Sequence, residues 1–318
     1  MSLRDRIDPE SREPLDALLQ AIPGGFNAIS DIAIRRQTVT GIVAAMAADI
    51  PPNPNVTKTD HVAPGPEGSP DVPVRVYRPT AASGNLSGLF VIHGGGMVLG
   101  NIDGEDQTAI MLAETLGIVV VSTDYRKAPE NPHPAQVNDC YAALLWTAAH
   151  ADELGIDATK LAIFGGSAGG NLCIATSMTA RDKGGPALCL MMAPYPMIDD
   201  TNTTPSSQEI TDIGFWDRSA NLEAWSWFLG GEPADQYAAP ARATDLSGLP
   251  PAFIDVGTLD VFRDEDITFV QRLIQAGVPT EFHVYPGAYH ASEVLAPTAA
   301  LSQRIWATRI AALQRALA

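Results

Sequence analysis

Phe164-Gly165-Gly166-Ser167-Ala168-Gly169-Gly170-Asn171 is the stretch on which the reading of this chain turns. It contains Gly-x-Ser-x-Gly, a pattern too short to mean much alone. Its surroundings give it weight. The apolar run Leu161–Gly165 reads as a buried strand, and a helical stretch follows Ser167. A serine on so tight a strand-to-helix turn sits in a strained backbone, and neighbours without side chains let strand and helix approach. The turn lifts the hydroxyl above the sheet edge and aims a helix N-terminus at it. A glycine-rich turn with a helix-capping serine would satisfy the same five residues. The strand-before, helix-after context favours a nucleophile.

Upstream, His93-Gly94-Gly95-Gly96 follows another strand-like run, Gly88–Ile92. Consecutive glycines expose backbone N–H groups that nothing shields. With the N–H of Ala168, those of Gly94, Gly95 and Gly96 are positioned to hold an oxyanion forming near Ser167.

A serine nucleophile needs a base, and the base needs an orienting acid. Only His283 and His290 follow Ser167. His283 lies inside the alternating run Phe282–Tyr285, whereas His290 sits just beyond it, at the sheet edge where open α/β folds bind ligands. His290 is therefore the candidate base. Asp255 falls inside a strand, while Asp264 and Asp266 stand where a helix begins and capping explains them. Asp260, in the loop after Gly257-Thr258-Leu259, is the candidate acid, with Asp264 in reserve.

The rest of the chain supplies the frame. Val72–Val74–Val76 alternates like a half-buried strand. Short apolar runs at Gly88–His93, Ile118–Ser122, Leu161–Gly165, Ala187–Met192 and Ala252–Val256 alternate with helical stretches such as Asp106–Leu116, Ala135–His150 and Asp264–Ala276. That rhythm predicts an α/β fold, a mostly parallel central sheet flanked by helices. Residues 1–50 read as two helical stretches, and Pro51–Pro70 reads as a connector. About sixty residues, rich in tryptophan, separate the runs at Met192 and Ala252, too many for a plain βα connection. The expected division is N-terminal helices over 1–50 and a catalytic domain over 51–318, interrupted by an insertion at about 197–240.

Twenty Lys and Arg stand against 37 Asp and Glu, a net charge of −17, which makes nucleic acid and anionic lipid poor partners. The most apolar stretch, Gly184–Ile198, is broken by prolines and too short for a membrane span. The N-terminal residues mix both charge signs without an apolar core, so a cytoplasmic protein is expected. Cys140, Cys173 and Cys189 have no metal-ligand spacing and read as buried thiols; no metal and no cofactor are expected. A second copy of the chain, as a homodimer, is the one macromolecular partner left open.

Taken in order, His93–Gly96, Tyr125-Arg126-Lys127-Ala128-Pro129-Glu130, Gly165–Asn171, the Asp260 loop and the His290 loop resemble the hormone-sensitive-lipase-like (bacterial family IV) esterases of the α/β-hydrolase superfamily. The resemblance covers roughly residues 70–318. It implies an α/β-hydrolase fold with a helical cap made by the N-terminal helices and the insertion. It also implies Ser167, Asp260 and His290 as a triad acting on a small ester through an acyl-enzyme. Gly166, Met97 and Lys127 depart from the residues common in that family. Met97, Trp216, Phe262 and Tyr289 are the expected pocket residues, with Trp225, Trp227 and Phe228 as further aromatics near it. An Arg126–Glu130 ion pair is expected to hold its loop near the glycines. Amide or carbamate cleavage by the same triad, and a non-catalytic ligand receptor on the same fold, are the alternatives.

Overall fold

The computed structural model describes residues 2–48 and 50–318. Eight strands form one sheet: β1 (Val56–Ala63), β2 (Val72–Pro79), β3 (Leu86–Ile92), β4 (Val119–Thr123), β5 (Ile156–Phe164), β6 (Leu190–Pro194), β7 (Ala252–Leu259) and β8 (Thr280–Tyr289). Their spatial order is β1-β2-β4-β3-β5-β6-β7-β8. β1 and β2 join antiparallel at one edge, and every pairing from β4 to β8 is parallel. The central strands β4 and β6 are buried along their whole length. This explains their unbroken Val and Met runs, since helices cover both faces.

The helices are α1 (Pro9–Ala21), α2 (Ile32–Ala47), α3 (Asp106–Leu116), α4 (Ala135–Ala149), α5 (Ala151–Leu154), α6 (Ala168–Lys183), α7 (Pro205–Glu209), α8 (Arg218–Leu229), α9 (Arg263–Gln275), α10 (Ser292–Leu295) and α11 (Ala300–Leu317). Helix α6 is buried without a break from Ala168 to Ala180. Its Ala, Gly, Ser, Thr and Cys side chains are small enough for it to sit between the sheet and α4.

One expectation needs correction. The segment read as a connector contains β1. Its residues are exposed except for the terminal Val56 and Ala63, so it carries no core-facing alternation for a sequence pattern to detect. Helix α1 is also tied to the sheet. Its Leu15 is fully buried, the Asp8 N–H donates to the Gly287 carbonyl at 3.0 Å, and Tyr289 Oη donates to the Ser11 carbonyl at 3.1 Å. Helix α1 therefore braces the end of β8.

Register places the site. Val91 of β3 pairs with Phe164 of β5, so the glycine loop and the serine turn leave the sheet side by side. Leu259 of β7 pairs with Tyr289 of β8, so the next residues, Asp260 and His290, emerge as neighbours. All four segments leave the carboxyl ends of parallel strands.

Candidate active site

Ser167 has φ 60° and ψ −121°, a conformation side chains rarely adopt. Its N–H donates to the Pro194 carbonyl at 3.0 Å, and its carbonyl accepts from Met197 at 3.1 Å. The turn is held by the end of β6 and by the segment that follows it. The side chain of Ser167 caps nothing at the start of α6, which removes the helix-capping explanation. The glycines are a steric requirement. A Cβ on Gly165 would lie 2.3 Å from the Gly169 carbonyl oxygen, and one on Gly169 would lie 2.2 Å from that of Ile92. Gly165→Ala is expected to destabilise by about 3 kcal/mol or more, because both clashing partners are backbone. Thermal unfolding checks this; a wild-type melting temperature would show that the turn can relax.

Ser167 Oγ lies 2.9 Å from His290 Nε2, and His290 Nδ1 lies 2.9 Å from Asp260 Oδ2. The three are buried at 7%, 3% and 0% exposure. With the proton on Nδ1, His290 donates to Asp260 and its Nε2 accepts from the Ser167 hydroxyl. The second oxygen of Asp260 accepts the Phe262 N–H at 3.0 Å, which fixes the carboxylate plane. Two more carboxyls, Glu265 and Asp266, are buried next to Asp260, and burial pushes both well up towards their neutral forms. They therefore add little repulsion to a charge on Asp260.

Three rings surround the imidazole. Tyr195 and Phe262 meet it edge-on at 4.9 and 5.1 Å, and Trp216 lies tilted at 6.2 Å. Tyr195 is itself held by its Oη, which donates to Glu293 at 2.5 Å. Glu293 and Asp255 both pair with Arg309, and all three are almost wholly buried.

Across the turn, the N–H groups of Gly95, Gly96 and Ala168 have no protein acceptor among the described residues. They remain available to an oxygen near Ser167. The three glycines are not equivalent, because the N–H of Gly94 faces the carboxyl of Glu105. His93 stacks on Tyr125 at 4.1 Å, and Tyr125 Oη donates to the His93 carbonyl at 3.1 Å.

The expected Arg126–Glu130 pair is absent. Arg126 pairs with buried Asp139 at 2.7 Å, and Glu130 forms a two-pronged pair with Arg36 of α2, both contacts at 2.8 Å. Arg36 also donates to the carbonyls of Val98 and Ala128. Residues 124–130 are not helical, so positions four apart do not face each other. Glu130 instead holds Arg36, which ties α2 to Val98 just past the glycine loop. Asp264 differs from expectation too. Helix α9 starts at Arg263, and the Asp264 carboxylate accepts the Ser206 N–H at 2.7 Å, tying α9 to α7.

A cavity of about 280 Å³ opens over Ser167 and His290. Trp216 lines it, pressed so closely on the glycine loop that a Cβ at Gly96 would meet its ring at 2.2 Å. The other expected pocket residues do not line it. Met97 is fully buried beneath the loop, Phe262 packs on His290, and Tyr289 points to α1. Trp225 and Phe228 pack on each other, and Trp227 lies under the Arg35 guanidinium. The wall comes instead from Phe26, Phe215, Tyr195, Phe164 and Trp306, with Arg35 and Val39 of α2. Sequence reasoning missed these because each belongs to a different element, and no local pattern links them. Among the described residues, no group of three His, Cys, Asp or Glu side chains could hold a metal, and no helix is long and apolar enough to cross a membrane.

A family model described as an alpha/beta hydrolase fold matches residues 89–293, well over half the chain. The chain belongs to this family, in its hormone-sensitive-lipase-like branch, and it is a carboxylic-ester hydrolase. Carboxylesterase NlhH of Mycobacterium tuberculosis is 34% identical over 99% of this chain and 97% of its own length. An arylesterase of Saccharolobus solfataricus is 35% identical over 70% of this chain and 72% of its own. Among solved structures, a bacterial heroin esterase covers both chains completely, at 38% identity and a TM-score of 0.93.

Proposed function

We propose that this protein hydrolyses small carboxylic esters of short to medium acyl chain through an acyl-enzyme on Ser167, with His290 as base and Asp260 orienting it. The unbroken chain of hydrogen bonds from Ser167 through His290 to Asp260 carries the reading. His290 Nε2 takes the hydroxyl proton as Oγ attacks the ester carbonyl. The N–H groups of Gly95, Gly96 and Ala168 receive the negative oxygen, assisted by the N-terminus of α6. His290 then passes the proton to the departing alcohol, and water repeats the cycle on the acyl-serine.

The cavity supports the chain-length preference. It is enclosed by the glycine loop, α2 and the segment carrying Trp216, so methylenes gain contact only until the space is filled. Residues 1–50 and about 197–240 act in this reading as the cap, with α1 doubling as a brace for the His290 loop. The three free thiols fit a reducing, cytoplasmic setting.

Hydrolysis of p-nitrophenyl esters from two to sixteen acyl carbons tests this. Rates are expected to rise over the first members and fall well before the last. EDTA is expected to leave kcat unchanged, because each step uses side chains and backbone N–H groups. A rate still rising at sixteen carbons with activation at an oil–water interface would overturn the substrate class. Loss on chelation with recovery on adding zinc would overturn the mechanism.

A further inference from the structure

The cavity wall holds a charged group that the hydrolytic steps do not use. Glu105 ends the short helical turn Ile102–Glu105 that leads into α3, and it lines the same space as Ser167 and His290. Thr108 lines it from the next turn of α3, and Trp306 and Arg309 line it from α11, which packs against α3. This side of the cavity continues outward from the imidazole. Tyr195 meets His290 at 4.9 Å, the Arg309 guanidinium lies 5.3 Å from the Tyr195 ring and 5.2 Å from Trp306, and Trp306 stacks with Phe164 at 6.4 Å.

Both arginines on the wall have carboxylate partners. Arg35 pairs with Glu223 at 2.5 Å, and Arg309 is held between Asp255 and Glu293. Glu105 has no cationic partner among the described residues. The Gly94 N–H is what faces its carboxyl.

We infer that Glu105 recognises a positively charged group, making ammonium-bearing esters the preferred substrate class. The inference rests on the ester-hydrolase reading above. Burial pushes the Glu105 carboxyl up to about 7, so holding its charge there is costly. A bound cation removes that cost, and a neutral substrate does not. An unneutralised carboxylate facing Gly94 also opposes the negative oxygen that the adjacent N–H groups must hold. Neutralising it in the complex therefore favours the transition state as well as binding. The net charge of −17 draws cations towards the molecule before any contact is made.

A pair of esters of equal shape tests this: acetylcholine and 3,3-dimethylbutyl acetate, which differ only in replacing the quaternary nitrogen by carbon. At pH 8 and low salt, kcat/KM for the cationic ester is expected to exceed that for the neutral one by on the order of tenfold. In Glu105→Gln that ratio is expected to fall to about one, with the melting temperature as a check on folding. A ratio near one in the wild type, or a preference equally large in Glu105→Gln, would overturn the assignment while the ester-hydrolase reading stands. If the wild type cleaves neither these acetates nor any p-nitrophenyl ester, the hydrolytic reading fails and this inference fails with it.

Discussion

Asp260→Asn is expected to lower kcat by about 10³–10⁴ while leaving the protein folded. The Phe262 N–H, 3.0 Å from Asp260 Oδ1, sets the outcome. That donor requires an oxygen opposite it, so an Asn at this position must present its oxygen to Phe262 and its NH₂ to His290. A donor facing Nδ1 forces the imidazole proton onto Nε2, which then cannot accept the Ser167 proton. The imidazolium formed during the reaction also loses its counter-charge. Asp264→Asn provides the contrast. An Asn there still offers an oxygen to the Ser206 N–H and loses only the pairing with Arg263, so activity is expected to stay near wild type. Ser167→Ala and His290→Ala are each expected to be nearly inactive. Adding Asp260→Asn to either should cost little more, since the three act as a unit. Values of kcat at pH 8, with melting temperatures as controls, decide it. An inactive Asp264→Asn beside an active Asp260→Asn would reverse the assignment of this loop.

The parts of this protein that local chemistry dictates could be read from its sequence. Gly165 and Gly169 are glycines because a Cβ at either would strike backbone, and a steric need of that kind leaves a local signature. The strands β3 to β7 announced themselves as apolar runs because helices bury both faces there, whereas β8, only partly buried, shows as an alternation. His290 and Asp260 could be placed from chain order and from their positions just past strands. Strand β1 was missed because an exposed antiparallel edge needs no apolar alternation. The cavity wall was missed for a different reason. Phe26, Tyr195, Phe215 and Trp306 meet only in three dimensions, and an aromatic that lines a cavity looks, in sequence, like one that fills a core. Met97 and Phe262 show the converse, as residues close in sequence to the chemistry whose side chains pack away from the cavity. Asp255 reads in the sequence as a strand residue, and nothing local reveals that its partner, Arg309, lies 54 residues further on.

That partnership leads to the largest expected effect on stability. Arg309 is 1% exposed and places its guanidinium 2.7 and 2.8 Å from the two oxygens of Asp255 and 2.7 Å from Glu293. Burial alone would raise both carboxyls, and Arg309 counters it. Glu293 ends below its ordinary range, while Asp255 stays above it. Arg309→Met keeps much of the bulk but leaves two buried carboxyls without a cation, at an expected cost of 3–5 kcal/mol, on the order of 10 °C in melting temperature. The pH dependence distinguishes this from simple loss of packing. In the variant both carboxyls must be raised well above their unfolded values, so the folded state binds more protons than the unfolded one. Stability then falls as pH rises above about 4, and the deficit against wild type is expected to be larger at pH 8 than at pH 5. Adding Glu293→Gln should recover part of the loss, because it removes one of the stranded charges. Because the trio also fixes Tyr195 against His290, kcat measured below the melting transition is expected to drop as well, by less than tenfold. A deficit independent of pH, with no recovery in the double variant, would mean that Arg309 matters for its volume and not its charge.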